Sequence, residues 1–600
     1  MVFSLTFRGL RLRAFALAAV FAGSVLPALA LVGSNSGTNI FNGLYINEQI
    51  GAGTFYSMGF SGANAVVANI EAGSIWNGHE TLGNVTTYIS DPSVTGTSLG
   101  QFDWHATMVG QTIAGNGMYT YQDGIAPQAT LWSAAIATAW NPDPKSDYTG
   151  SFEITDQTFT YAYKTAMQTG ITVNGTTVKA DVINSSWGFS DPAGTEPCTV
   201  FLDSLLKANN VVGVFAAGNE GPGTNSVGGP ASGFNGISVA ALTGDKTTPA
   251  YSQVAEFSSR GPGDFYNPAT GTTETVRPVV DIAAPGGNLT LSFYGGVTGG
   301  HTSGTDPTGG NGTYYVPNMD GTSFAAPTVA GAAALMVDAG KAFGVANMTN
   351  PLVIKAALMA GAARTSGWNN GQVLQNGALV TTQAVDYAAG AGALDLNSTY
   401  RIFVGDPAIT ITDSGISAAS GVNATLGVSG GAGGSVLSRG WDYGLVKQGA
   451  PNNYGITESL AAGGELTVAL TWFAGTYGDL LTTAQTKELA NLSLELWQMD
   501  PAPSGSQLIA RSAAPASTIE YLRITIPETG IYMVRIVWDG FNFSLASALP
   551  QTNYAVAWNF NPTATAVPEP ATVALLIFAV CSIGLIRWRR RNGSGRSCRS

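Results

Sequence analysis

Histidine, cysteine and basic residues are all scarce in this 600-residue chain, and each shortage closes off a class of chemistry. Three histidines, His79, His105 and His301, are too few and too far apart to build a zinc site. Of the three cysteines, Cys581 and Cys598 fall in the last 20 residues, which leaves Cys198 alone in the body and excludes an intrachain disulfide framework there. Three of the 26 basic residues lie in the first 30 positions and six at or beyond Arg587, leaving 17. All 38 acidic residues except Glu569 remain, so the body between the ends carries a charge near −20. Such a surface repels nucleic-acid phosphates and suits solubility outside a cell. Its carboxylates could serve a structural calcium ion, with Asp143, Asp147, Glu153 and Asp156 as the candidate cluster, but no EF-hand spacing is present and no other cofactor is implied.

Apolar runs stand at both ends. Arg8, Arg11 and Arg13 precede an apolar stretch from Phe15 to Leu26 and the small-residue site Ala28-Leu29-Ala30, so residues 1–30 read as an export signal and Leu31 as the mature start. The 40 residues from Leu31 to Glu71 leave no room for a chaperoning propeptide. At the other end, Val567-Pro568-Glu569-Pro570 abuts an apolar segment, 571–586, followed by Arg587, Trp588, Arg589, Arg590 and Arg591. Sixteen helical residues span about 24 Å, enough to cross a membrane once Trp588 and the arginines reach the interface. Positive charge keeps the tail cytoplasmic.

Chemistry is concentrated in Asn318-Met319-Asp320-Gly321-Thr322-Ser323-Phe324-Ala325-Ala326-Pro327, which places a serine at a glycine-preceded turn into a helix. Helix-start N–H groups and the positive end of the dipole favour a developing oxyanion there. His105 opens His105-Ala106-Thr107-Met108-Val109-Gly110, and an apolar run, Val211 to Ala217, ends in Gly218-Asn219-Glu220-Gly221. Upstream, Val66-Val67-Ala68-Asn69-Ile70 runs into Glu71, 34 residues before His105.

These four segments resemble the motifs of subtilisin-like serine proteases, in the acid, histidine, serine order of that family. The resemblance covers about Gly51 to Phe403. It implies an α/β fold with a parallel sheet flanked by helices, and a secreted endopeptidase whose catalytic residues are Glu71, His105 and Ser323, with Asn219 as oxyanion donor. Two positions depart from the family: Glu71 stands where it has aspartate, and Met108 where it has a second histidine. Asp103 is the other carboxylate the spacing leaves open, and a catalytically silent surface protein is the competing reading. Val182-Ile183-Asn184-Ser185-Ser186-Trp187-Gly188 resembles the strand that pairs with an extended peptide. Ser186, Trp187 and Gly188 would flank the substrate, with Trp187 equally compatible with core packing. Ala216, Ala217 and Gly218 would form a pocket wall, and a glycine near Val227-Gly228-Gly229 an open floor for a large apolar side chain.

The C-terminal run resembles a PEP-CTERM sorting signal, 567–591, which implies processing by an exosortase-type enzyme, transient anchoring in the inner membrane, and a final place at the cell surface or outside it. Between these regions, the period-two alternation of Glu465 to Trp472, Leu492 to Trp497, Ile519 to Ile526 and Gly530 to Val537 predicts an all-β sandwich at 441–560 that packs one face and wets the other. In the competing reading, of a catalytically silent surface protein, this sandwich binds surface polysaccharide or matrix. Residues 31–403 form the expected peptidase domain, and 404–440 a linker or loose strands.

Overall fold

The computed structural model describes residues 46–117, 123–142, 150–244, 251–296, 315–404, 433–500 and 506–562. The export signal, the sorting signal with its helix, Asp143, Asp147 and His301 lie outside the described residues.

An eight-stranded sheet organises the first part of the chain. Its strands are β1 (Val66–Glu71), β2 (Val85–Ile89), β3 (Thr130–Ala135), β4 (Val182–Ser185), β5 (Val212–Ala216), β6 (Ile237–Thr243), β7 (Gln253–Val254) and β8 (Ile282–Pro285). They lie in the order 7-6-5-4-1-3-2, with β8 also on β6, and every pairing except β6 with β7 is parallel. Helices cover a parallel sheet on both faces, so its strands read as unbroken apolar runs; β5 is buried at all five positions. The covering helices include α1 (Trp104–Ala114), α2 (Asp156–Lys164) and α3 (Pro197–Asn209). The sheet's central prop is α4 (Thr322–Phe343). It is the one helix among the described residues long and apolar enough to cross a membrane, yet its apolar window is 94% buried, so it is a core helix. Small residues let it approach its neighbours: a Cβ on Gly331 would stand 2.5 Å from the Ile125 Cβ.

Two more sheets, one antiparallel and one mixed, follow α5 (Pro351–Gly361), a hairpin of β9 (Val373–Gln375) and β10 (Ala378–Thr381), and α6 (Leu396–Phe403). Their strands are β11 (Gly433–Val436), β12 (Arg439–Lys447), β13 (Asn452–Ile456), β14 (Glu465–Trp472), β15 (Gly475–Tyr477), β16 (Gln485–Asp500), β17 (Gln507–Ser512), β18 (Ile519–Thr525), β19 (Ile531–Ser544) and β20 (Gln551–Asn561). One sheet has the order β12-β20-β14-β18. The other runs β9-β10-β17-β16-β19-β13-β11, with β15 on β16, so the hairpin before α6 joins a sheet built mainly from residues beyond it. Strand structure begins at Gly433, inside the segment 404–440 expected as a linker or loose strands.

Along β19 buried residues alternate with part-exposed ones as expected, but on the sheet of β12, β20, β14 and β18 the face expected to be wet is covered. Along β14, Leu466, Val468, Leu470 and Trp472 face the partner sheet, as the alternation predicts. The alternate residues are buried against α5 instead: the Thr467 hydroxyl donates to the Ala360 carbonyl at 2.6 Å and Thr471 to Leu352 at 3.0 Å. Threonine reads as polar in a sequence, but here its hydroxyl is satisfied by the helix and its methyl packs. The buried Arg523 guanidinium adds a bond to the Ala362 carbonyl at 2.6 Å, and Trp441 donates to Phe403. A buried ion pair, Lys355 Nζ to Asp281 Oδ1 at 2.8 Å, ties α5 back to the start of β8.

Within the sandwich, Asp442 on β12 is buried and accepts from the Tyr454 hydroxyl, which in turn meets Tyr554. Burial pushes the Asp442 carboxyl up to about 7, against the pull of its hydrogen bonds from Tyr454 and the Tyr443 backbone. The folded state therefore holds a proton that the unfolded chain releases near pH 4, so stability falls as pH rises from about 4 to about 7. Asp442→Asn is expected to flatten this dependence and to raise stability at pH 8 by roughly 3 kcal/mol at most. Urea unfolding at pH 5 and pH 8 measures it; an unchanged difference between the two pH values excludes the assignment.

Candidate active site

Glu71, Ser186 and Asn219 stand at or just past the carboxyl ends of β1, β4 and β5, the crevice where open parallel sheets place ligands. Glu71 closes β1 and is 1% exposed. Its Oε2 lies 3.1 Å from His105 Nδ1, and its Oε1 accepts the Ser186 backbone N–H at 2.7 Å. A carboxylate only accepts, so Nδ1 carries the proton and Nε2 is left as the acceptor. The Glu71 carboxylate is thus held at both oxygens.

His105 is the second residue of α1, and its side chain is 23% exposed. Burial opposes its charged form most strongly, but the Glu71 hydrogen bond and the charges of Glu71 and Asp103 together outweigh burial and raise its proton affinity above that of a free imidazole. Asp103 does not pair with the imidazole as an acid would. It is the N-cap of α1, with Oδ2 accepting the Ala106 N–H at 3.1 Å.

Ser323 is the second residue of α4, half-buried between buried Thr322 and Phe324, and the Phe324 ring lies 5.9 Å from that of His105. The first N–H groups of a helix lack the usual intrahelical partners; here Asn219 takes the Thr322 N–H and the Gly321 carbonyl the Phe324 N–H, which leaves the Ser323 N–H between them as the donor at the nucleophile. Pro327, four residues on, has no N–H for the Ser323 carbonyl. The Ser186 hydroxyl takes that place, donating to Ser323 O at 2.8 Å, while Ser323 Oγ donates to Ser186 O at 3.2 Å. Ser186 therefore joins Glu71 to Ser323, a role sequence reasoning missed; Pro327 was its available signal.

Asn219 is exposed, and its Oδ1 accepts both the Thr322 N–H at 3.0 Å and the Thr322 hydroxyl at 2.9 Å. Two donors on one atom make that atom the oxygen and turn the amide nitrogen away. Gly218, at φ 110°, makes the turn; a Cβ there would stand 2.4 Å from a Glu220 carboxylate oxygen. Thr322, also unanticipated, anchors the amide beside the nucleophile.

The proposed substrate-contacting residues divide. Gly188 is exposed and Gly218 partly so, whereas Ser186, Ala216 and Ala217 are buried. The Trp187 indole packs among Phe152, Phe159 and Phe189 and donates to the Ile70 carbonyl at 3.1 Å, which makes it core as well as cleft lining. It lines a cavity of about 620 Å³ shared with Phe152, Ile154, Phe189, Cys198 and, from the sandwich, Leu481. Glycine at 228 is dictated by packing, since a Cβ would meet the Phe189 carbonyl at 2.2 Å. Among the described residues, no three His, Cys, Asp or Glu side chains converge to hold a metal. His79 is buried, with Nδ1 2.9 Å from the Thr81 hydroxyl, and is part of the packing behind the acid strand.

Pyrolysin of Pyrococcus furiosus is 28% identical over 328 residues, which are 49% of this chain and 20% of that protein. Membrane-bound transcription factor site-1 protease of Mus musculus is 29% identical over 361 residues, 60% of this chain and 27% of the relative. Subtilisin E of Bacillus subtilis is 29% identical over 298 residues, 48% and 60%. The chain thus spans less than two thirds of each. Residues 566–591 match the PEP-CTERM protein-sorting motif. The sequence pattern of the Subtilase family matches residues 75–392, just over half of the chain, and this protein belongs to that family.

Proposed function

We propose that the protein is an exported serine endopeptidase that works through an acyl-enzyme, with glutamate as the acid of its triad. The observation that carries this reading is the continuous link from His105 Nδ1 through the Glu71 carboxylate and Ser186 to Ser323. Ser323 Oγ attacks the peptide carbonyl as His105 Nε2 takes its proton, and the imidazolium is stabilised by Glu71. Asn219 Nδ2 and the Ser323 N–H receive the charge that develops on the carbonyl oxygen. His105 then protonates the leaving amine; water, activated by the same nitrogen, releases the acyl group and restores Ser323.

The substrate is a polypeptide laid as an added strand along Ser186 to Gly188. The cavity beside Trp187 and Phe189 is large enough for a bulky apolar side chain upstream of the scissile bond, and Leu481 makes the sandwich part of its wall. The sorting motif supports export, membrane transit and removal of the tail by an exosortase-type enzyme.

A fluorophosphonate probe labels only an activated serine. Incubated with the purified protein, it is expected to add one label per chain, on the peptide containing Ser323, and none after His105→Ala. Absence of label on the folded wild-type protein overturns the peptidase reading.

A further inference from the structure

Asp103 carries more charge than its place in α1 calls for. As an N-cap it needs one acceptor oxygen, and asparagine or serine supplies that equally well without burying a charge. The residue is 2% exposed, and while Oδ2 caps Ala106, Oδ1 is buried with no hydrogen-bond partner. A buried carboxylate oxygen left unsatisfied costs free energy that capping does not recover.

Its location is also closely specified. The turn that follows Glu71 is zipped to the segment that precedes His105: Ser74 N–H donates to Gln101 O at 2.7 Å and Asp103 N–H to Ser74 O at 2.9 Å. Gly73 lies so close that a Cβ there would stand 2.5 Å from the Asp103 Cβ. The largest charge effects on Asp103 come from His105 and Glu71. Burial raises the Asp103 carboxyl above the ordinary carboxylate range, as Glu71 also does, and the charge of His105 pulls it back. The cation that acts on it most strongly is the His105 imidazolium.

We propose that Asp103 is a positioning residue that also acts electrostatically, because it caps the helix that carries His105 and supplies a second buried negative charge that favours the imidazolium. This rests on the catalytic role proposed for His105, and it assigns to two carboxylates, on opposite sides of one turn, work that Glu71 alone was expected to do. Because Asp103 touches neither substrate nor nucleophile, its influence passes wholly through His105.

The test compares the wild-type full chain with Asp103→Asn and Asp103→Ser, both of which keep a capping acceptor and lose the charge. Imidazole titration is read by NMR of histidine-labelled protein, where three histidines give separable signals and His105→Gln identifies the relevant one. Loss of the charge is expected to lower the His105 pKa by about one unit in both variants. The acid limb of kcat/KM against pH on a peptide substrate is expected to move down with it, with maximal kcat falling about threefold to tenfold and KM unchanged. A purely structural cap predicts no change in the titration of either folded variant, and that result overturns the proposal. The NMR titration needs no turnover, so a protein without peptidase activity refutes the functional reading separately from this one.

Discussion

Ser323→Ala and His105→Ala are each expected to lower peptide hydrolysis by about 10⁵-fold or more, and the double variant to be no worse than either alone. Nucleophile and base act as one unit: without the imidazole the hydroxyl keeps its proton, and without the hydroxyl the imidazole has nothing to activate. Both positions lie where a change of side chain leaves the fold intact. Ser323 is half-buried with its carbonyl held by Ser186, and the start of α1 is capped by Asp103 whatever stands at 105. Casein or peptide hydrolysis by the purified variants decides the point. Activity equal to wild type in Ser323→Ala, with contaminating protease excluded, removes the proposed mechanism.

Glu71→Gln is expected to cost about 10⁴-fold in kcat, for a reason visible in the hydrogen bonds. Both carboxylate oxygens face donors, the Ser186 backbone N–H and the His105 Nδ1–H. A carboxamide has one oxygen. The backbone N–H cannot change its polarity, whereas an imidazole can exchange tautomers, so the amide oxygen goes to Ser186 and its NH₂ to Nδ1. His105 then carries its proton on Nε2, toward the nucleophile, and cannot act as base. Glu71→Asp keeps the charge but falls one methylene short of spanning both donors, which predicts turnover between wild type and Glu71→Gln. Steady-state kinetics of the two variants checks the order. Full activity in Glu71→Gln, beside loss in Asp103→Asn, transfers the role of acid to Asp103.

How far the sequence could be read depended on the range of the interactions. The buried strands β1, β4 and β5 and the starts of α1 and α4 are legible because each is a continuous apolar run or a turn motif whose meaning is local. The match to the Subtilase family begins at residue 75, after Glu71, so the place of Glu71 in the site rests on its hydrogen bonds to His105 and Ser186. Ser186 shows the opposite case. Its neighbours in sequence suggest a substrate strand, but its bonds to Glu71 and Ser323 span 115 and 137 residues. The hairpin of β9 and β10 carries a local sign, Asn376-Gly377 with both residues at positive φ, yet nothing near it names β17 as its partner. Thr467 and Thr471 were read as solvent-facing because polarity was the only cue; the carbonyls that bury them come from α5, over 100 residues earlier.

That hairpin sets a schedule for the newly exported chain. A protein delivered amino-terminus first presents everything through residue 404 before any strand of the sandwich has emerged. Until those strands arrive, β10 is an open edge and the outer face of α5 has no cover, so the sheet bearing Glu71 and Asn219 rests on a helix still half in water. The final strand, β20, packs on α5 and ends at Asn561, five residues ahead of the sorting motif. Cover for the helix beneath that sheet is thereby completed only when β20, the last strand before the sorting motif, has been delivered.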